Sequence, residues 1–356
     1  MELSSFTLIL TDKCNFNCPY CYQKKGEKIL DFSIIEKSLD FFLPYLKEEC
    51  YVNFTGGEPL LALENLKKTV SYIQNKNKGQ RKHIQYSLTT NGSLIDDEVL
   101  NFLKQHRFSL MVSFDGLVQD VFRKKGSLER IVSVIKNLLV HPDIDLVINS
   151  VFMPESIGYL SKSFKFITKL GASDIRLSLS INSSWNDSSL LRLKKELHSL
   201  KDFILFFYKR TRTIPLSCFR RNIRKGIFSC FAGFDRMTLN PEGKLWGCYL
   251  FSNYFNGKKG TPEYLKYCFG DLDEFIDNHK MIYLDILRNY SNLRMDNFYT
   301  NDRACKQCPE LEGCAVCPVS AAFSSSNIGK IPDWKCKYRK IVRKERDLFL
   351  KDLKNI

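Results

Sequence analysis

The chain has 356 residues, 44% hydrophobic and 26% charged, with a formal net charge of +15. That length suits one large α/β unit or two domains, and the ordinary globular composition excludes disorder and fibrous repeats. No stretch approaches the roughly 18 uninterrupted apolar residues that a spanning helix needs, and the opening MELSSFTLIL has neither a basic leader nor a small-residue cleavage site, so a cytoplasmic protein with no membrane partner is expected.

Strand patterns and helix patterns alternate through the first two hundred residues. Strands are predicted at 5–10, 51–55, 84–90, 109–114, 145–152 and 174–179, and helices at 32–46, 60–75, 96–105, 127–140, 157–170 and 188–208. Six such units in series imply a parallel α/β sheet with right-handed crossovers, doubly wound or closed into an incomplete barrel. In either form the reactive face lies at the carboxyl ends of the strands. The conspicuous residues fall there: a cysteine loop after the first strand, Gly56-Gly57-Glu58-Pro59 after the second, Thr90-Asn91-Gly92 after the third and Asp115-Gly116 after the fourth. Past residue 210 helical periodicity fades and glycine and cysteine rise. A hairpin is predicted at 237–239 and 244–249 around Asn240-Pro241-Glu242-Gly243, with a turn-rich stretch beyond it and a domain boundary near 212. The end of the chain, 341–356, reads as a basic amphipathic helix on Ile341, Leu348, Leu350 and Leu353.

Thirteen cysteines in a reducing compartment point to metal ligation or catalysis. Cys14, Cys18 and Cys21 form CxxxCxxC, with Pro19 inside the span and Asn15 and Asn17 beside the cysteines, which argues for a loop over a helical stripe. Three thiolates on a short loop suit a four-iron cluster with one iron left open, whereas a structural zinc needs four ligands and the nearest histidine is His83. The last third carries Cys230, Cys248, Cys305, Cys308, Cys314, Cys317 and Cys336. A zinc ribbon made from the four clustered cysteines is the rival reading, but its five-residue gap is short and three cysteines are left without a role. Cys50 and Cys268 read as structural. Basic charge gathers at 209–225 and 335–356, which suits an acidic partner or, equally simply, a solvated helix face.

The CxxxCxxC loop with an aromatic residue before its third cysteine, followed by Gly56-Gly57-Glu58-Pro59, resembles the radical S-adenosylmethionine (SAM) enzymes. Cys230-x12-Gly243-x4-Cys248 and the later cysteines resemble the SPASM extension of peptide-modifying members, with two residues instead of three between Cys314 and Cys317. The resemblance implies a partial (β/α)6 barrel at 1–211, a SPASM domain at 212–340 and the helix at 341–356. It implies that Cys14, Cys18 and Cys21 hold a [4Fe–4S] cluster whose open iron chelates SAM, and that reductive cleavage yields a hydrogen-abstracting 5′-deoxyadenosyl radical. Matching positions are then SAM-binding. Gly56 and Gly57, in the turn with Pro59, let backbone approach the ammonium and Glu58 neutralises it. Tyr20 packs near the adenine, Ser113 reaches the ribose or carboxylate, and Arg123 reaches the carboxylate.

By the same analogy Cys305, Cys308, Cys314 and Cys336 bind a distal auxiliary cluster, while Cys230, Cys248 and Cys317 bind a nearer one. Cys218 is the candidate eighth ligand, its alternative being a free buried thiol. That makes three [4Fe–4S] clusters in all. The function implied is oxidative C–C or thioether cross-linking of a ribosomally made peptide. An epimerase is one alternative, with Cys50, Cys218 and Cys268 as hydrogen-donor candidates. A formylglycine-forming sulfatase maturase is the other, weakened because Tyr249 stands where an aspartate base follows the second cysteine. Expected partners are a peptide or protein substrate and an electron donor such as flavodoxin or ferredoxin; because the barrel starts within five residues of Met1, a precursor peptide is expected to be held by the barrel mouth, by a separate leader-binding protein or by the basic segments. A nucleic-acid-modifying enzyme is less favoured, since aromatics are not interleaved with the basic residues.

Overall fold

The computed structural model describes residues 1–79, 82–221 and 226–354. Residues 222–225 of the first basic segment and 355–356 of the last helix lie outside the described residues. The strand–helix series runs β1 (Leu3–Ile9), α1 (Phe32–Phe42), β2 (Leu46–Thr55), α2 (Leu63–Lys76), β3 (His83–Thr90), α3 (Asp97–Gln105), β4 (Ser109–Ser113), α4 (Gln119–Phe122), α5 (Leu128–Leu139), β5 (Asp145–Phe152), α6 (Leu160–Lys169), β6 (Ile175–Leu179) and α7 (Asp187–Thr211). The extension adds β7 (Arg236–Leu239), β8 (Lys244–Trp246), α8 (Tyr249–Phe255), α9 (Pro262–Tyr267), β9 (Cys268–Asp271), α10 (Leu272–Ser291), α11 (Pro318–Ser325) and α12 (Asp333–Leu353).

Strands β1 to β6 pair in parallel, in the order 6-5-4-3-2-1, which is the incomplete barrel. Side chains alternate across each strand. One set, including Phe6, Leu8, Val52, Phe54, Leu88, Leu110, Val112 and Ile148, is fully buried in the main hydrophobic core. The other set is polar and faces a central cavity. Within it the Asn53 amide donates to Thr7 Oγ1 at 3.2 Å, and the Ser87 hydroxyl donates to Asn53 Oδ1 at 2.6 Å. The barrel interior is therefore a wet site and not a packed core.

The sheet does not stop at the barrel. Strand β7 lies parallel to β1, from Ser5↔Arg236 to Leu8↔Leu239, and β8 and β9 continue it antiparallel to make nine strands. The predicted hairpin is present: Asn240 Oδ1 accepts from the Glu242 and Lys244 amides, and Gly243 takes φ 73°.

Two expectations need correction. The stretch expected to be turn-rich holds α8 to α11, of which α10 spans 20 residues with a kink at Asn278. Its periodicity was hidden because Met281 and Leu284 are 70% and 60% exposed, so no clean apolar stripe marks the helix. The last helix begins at Asp333, before the expected 341, so Cys336 sits on it. It packs along α7, where Lys201 Nζ meets Asp352 at 2.7 Å and His198 Nδ1 meets Glu345 at 3.0 Å. Among the described residues no helix is long and apolar enough to cross a membrane.

Met237 in β7 is 0% exposed. Met237→Ala is expected to cost about 2–5 kcal/mol, read as a lowered urea midpoint.

Candidate active site

The cysteine loop leaves β1 at Thr11 and returns to the sheet through Lys28–Leu30. The Asp12 amide donates to Lys28 O at 3.0 Å, the Leu30 amide to Leu10 O at 2.8 Å, and Thr11 bridges Ile29. The loop rests on the second turn. The Gly57 amide donates to Thr11 O at 2.8 Å and the Glu58 amide to Lys13 O at 2.7 Å. A β-carbon at Gly56, whose φ is 153°, would lie 2.5 Å from Thr11 O, and one at Gly57 would lie 2.1 Å from Lys13 O. Both glycines are required by this close approach to the loop itself.

Glu58 was expected to face an ammonium. It does not line the cavity: it is 0% exposed, and its carboxylate accepts from the Leu60 amide at 3.1 Å, Thr90 Oγ1 at 2.8 Å and the Asn91 amide at 2.7 Å. Burial pushes its carboxyl up to about 7 against the pull of those three donors. From there Asn91 Nδ2 donates to Asn15 Oδ1 at 2.8 Å, and Asn15 Nδ2 donates to Ser93 Oγ at 2.9 Å. Glu58 thus ties the third loop to the cysteine loop. Pro59 is buried at the start of the short helical turn after Glu58 and likewise stays off the cavity wall.

The fourth loop is organised by Asp115, which is 0% exposed. Arg123 Nε and Nη2 each reach it at 2.9 Å, the Val151 amide at 2.8 Å, and the Tyr20 hydroxyl also donates to it. Arg123 stacks over Tyr20, 5.4 Å from the ring centre, and its carbonyl accepts from Cys18 Sγ at 3.9 Å. Tyr20 and Arg123 both line the cavity, but the tyrosine is held by a carboxylate and two of the guanidinium nitrogens are committed. Ser113 faces the cavity at the end of β4, in register with Asn149 and, through it, Arg176.

Cys14, Cys18 and Cys21 open on this cavity of about 1010 Å³. Burial pushes the Cys14 and Cys18 thiols up and neighbouring thiols push the same way, while Arg123 pulls Cys18 back. Burial raises Cys230 to about 11 and Cys248 to about 12, and both feel Cys317. Burial raises Cys305 to about 11, and it feels Cys314, Cys336 and Cys308. Cys248 and Cys317 cap α8 and α11, their sulfurs accepting from the Leu250 amide at 3.4 Å and the Ser320 amide at 3.5 Å. Among the described residues no three Cys, His, Asp or Glu side chains close on the point one ion would occupy. Thiols that sense one another at wider spacing fit the separate corners of a four-iron cube.

Cys218 departs from the expected set. Burial raises it to about 12, and the groups acting on it are Arg346 and Arg339 of α12 and no other cysteine. Cys50 and Cys268 are buried away from the cavity, Cys50 because it alternates with the inward Tyr51 and Asn53, and Cys268 because its sulfur points to Leu245 O and Tyr264. None of the three hydrogen-donor candidates reaches the cavity wall. Tyr249, at the position of the absent aspartate base, does, and so do residues not anticipated: Asn149 and Arg176, readable from strand alternation, and Trp334, Lys335 and Arg339, whose only signal was nearness to a cysteine.

Glu58→Gln tests the buried carboxyl. The folded chain keeps this proton up to about pH 7, whereas an unfolded glutamate releases it near its ordinary value of 4.5. Stability from this group therefore falls as pH rises through that window. Urea midpoints are expected to show that slope in the wild type and to lose it in the variant. Gly57→Ala is expected to displace the loop and remove about four irons from reconstituted protein, counted against the wild type.

Residues 8–167 match the family model described as the radical SAM superfamily. The radical SAM cyclopropyl synthase TigE of Paramaledivibacter caminithermalis is 23% identical over 328 residues, which cover 82% of this chain and 68% of that one. The cysteine-type anaerobic sulfatase-maturating enzyme of Clostridium novyi is 25% identical over 47% of this chain, which spans only 48% of that enzyme. A structure titled "Native anSMEcpe with bound AdoMet and Cp18Cys peptide" superimposes over 100% of this chain and 99% of its own with a TM-score of 0.77, at 17% identity, a likeness of fold. The three-cysteine loop and the glycine turn beneath it thus lie within the segment that matches the radical SAM superfamily.

Proposed function

We propose that this chain oxidatively cross-links a peptide through a carbon–carbon or thioether bond. Cys14, Cys18 and Cys21 hold the SAM-binding [4Fe–4S] cluster, Cys230, Cys248 and Cys317 the nearer auxiliary cluster, and Cys305, Cys308, Cys314 and Cys336 the distal one. The barrel at 1–211 supplies the first site and the extension from 212 the others. When bound, SAM at the first cluster supplies a hydrogen-abstracting radical. The chain's own residues orient and protect: Asp115 fixes Tyr20 and Arg123, and Ser113 and Asn149 offer hydrogen bonds on one rung. An external one-electron donor of flavodoxin or ferredoxin type completes the scheme, with a leader-binding protein presenting the peptide.

One observation carries this reading. A single cavity is lined by Cys14, Cys18 and Cys21 and also by Cys248 and Cys317. A two-electron oxidation needs hydrogen removal and electron removal at one substrate, and both donor sets face the same space. A peptide substrate is supported by the fold shared with the peptide-bound maturase structure. Formylglycine formation is the second reading, supported by the sulfatase-maturating relatives. Against it stands Tyr249, whose phenol burial pushes up, so at neutral pH it keeps its proton and does not act as a base.

Mass spectrometry after turnover with SAM and reductant decides between them, using precursor peptides encoded near this gene and a cysteine-bearing sulfatase peptide. Loss of two hydrogens supports cross-linking, loss of sulfur supports formylglycine, and unchanged mass with solvent deuterium at an α-carbon indicates epimerisation. Cys14→Ala is expected to abolish SAM cleavage. Cys248→Ala is expected to keep it while lowering peptide product at least about tenfold.

A further inference from the structure

The cavity wall holds five cationic side chains, Arg123, Arg176, Arg236, Lys335 and Arg339, against two carboxylates, Asp145 and Asp174. Most of these are spoken for. Arg123 pairs with Asp115, Arg236 with Asp235 at 3.0 Å, and Asp174 with Arg220 at 3.2 Å. Asp145 begins β5, at the end of the barrel away from the cysteine loop, where Ser109 donates to it. Arg176, Lys335 and Arg339 remain without a carboxylate partner among the described residues.

Lys335 is the telling one. It is 6% exposed, and its ammonium donates to Ser320 Oγ at 2.7 Å, its hydrogen-bond acceptor among the described residues. Burying an ammonium without a counter-ion is costly by the usual desolvation argument, so its place on a cavity wall calls for an anion. The wall is stiff there: Trp334 stacks on Trp185 at 5.8 Å and lies 5.3 Å below the Lys335 ammonium. Arg176 projects from β6 beside Tyr249, on the side of the cavity where the extension begins.

We propose that Lys335 and Arg339 of α12, with Arg176 of β6, form a carboxylate-binding site that holds an acidic group of the substrate, either an Asp or Glu side chain or a free C-terminus. The assignment of that group to a peptide rests on the function proposed above. Ammonium and guanidinium donors around one space bind a carboxylate by charge-assisted hydrogen bonds, and the partly closed cavity strengthens them. A competing role is neutralising the thiolates nearby, since Lys335 feels Cys317 and Arg339 feels Cys314. Arg176 lies on the barrel strand and separates the two roles.

The test uses the reconstituted full-length enzyme with SAM and fluorescence anisotropy. The probes are four uncharged-dye decapeptides of Gly, Ser and Ala, with a central Glu or Gln and a free or amidated C-terminus, plus N-acetylglutamate and N-acetylglutamine as competitors. The carboxylate that the site takes is expected to tighten binding about tenfold over the fully neutral peptide. Arg176→Gln and Lys335→Gln are each expected to erase that preference while leaving neutral-peptide binding, SAM binding and iron content unchanged. Whichever of the two acidic positions shows the preference identifies the source of the group. Equal binding of all four peptides sinks the site while leaving the peptide function standing. Direct binding of N-acetylglutamate, read by calorimetry, with no peptide bound at about 1 mM supports the site and sinks the peptide function. Should Lys335→Gln lose iron, Arg176→Gln decides alone, and a preference that survives it overturns the proposal. An oligoribonucleotide that binds more tightly than every acidic peptide overturns it as well.

Discussion

The whole site hangs on the contact between two stretches of bare backbone. Gly56 and Gly57 lie so close under Thr11 to Lys13 that no side chain fits between them, and two amide hydrogen bonds close the gap. This contact turns a flexible three-cysteine loop into a fixed feature at the mouth of the barrel. The buried Glu58 carries the constraint to the third loop through Thr90 and Asn91, and Asn15 returns it to the cysteines. Asp115 performs the corresponding task on the fourth loop. Two buried carboxylates therefore hold the loops in place, and the side chains that border the cavity inherit their positions from them.

Much of the barrel was legible because its strands and helices obey simple periods. The six strands, the helices between them and the cysteine, glycine and aspartate loops at the strand ends all came from alternation and turn residues. What escaped was tertiary. The structure brings Cys230 and Cys248 close enough to Cys317 to feel it, a neighbourhood that no local pattern encodes. That Glu58 turns inward instead of toward a ligand depends on where Thr90 and Asn91 come to rest, which no local pattern encodes. Cys218 lies a dozen residues before Cys230 yet is packed under α12, beside arginines and away from other thiols.

The extension was the least readable part for a related reason. Its helices bury scattered aromatics such as Phe251, Phe255, Tyr267 and Tyr290, which pack on one another at ring distances of 4.9 to 6.4 Å. Such a cluster forms from all directions at once and leaves no stripe in the sequence. The start of α12 was misplaced because Trp334, Lys335 and Tyr338 interrupt the expected amphipathic pattern with residues that serve a cavity. Charge and aromatic residues at a helix start read as surface until the opposite wall is known.

The continuity of the sheet from β1 into β7 has a mechanical consequence. Opening the two halves like a jaw would tear four consecutive strand pairings from the middle of a nine-stranded sheet. The seam therefore holds the barrel and the extension in a fixed mutual register along those four rungs.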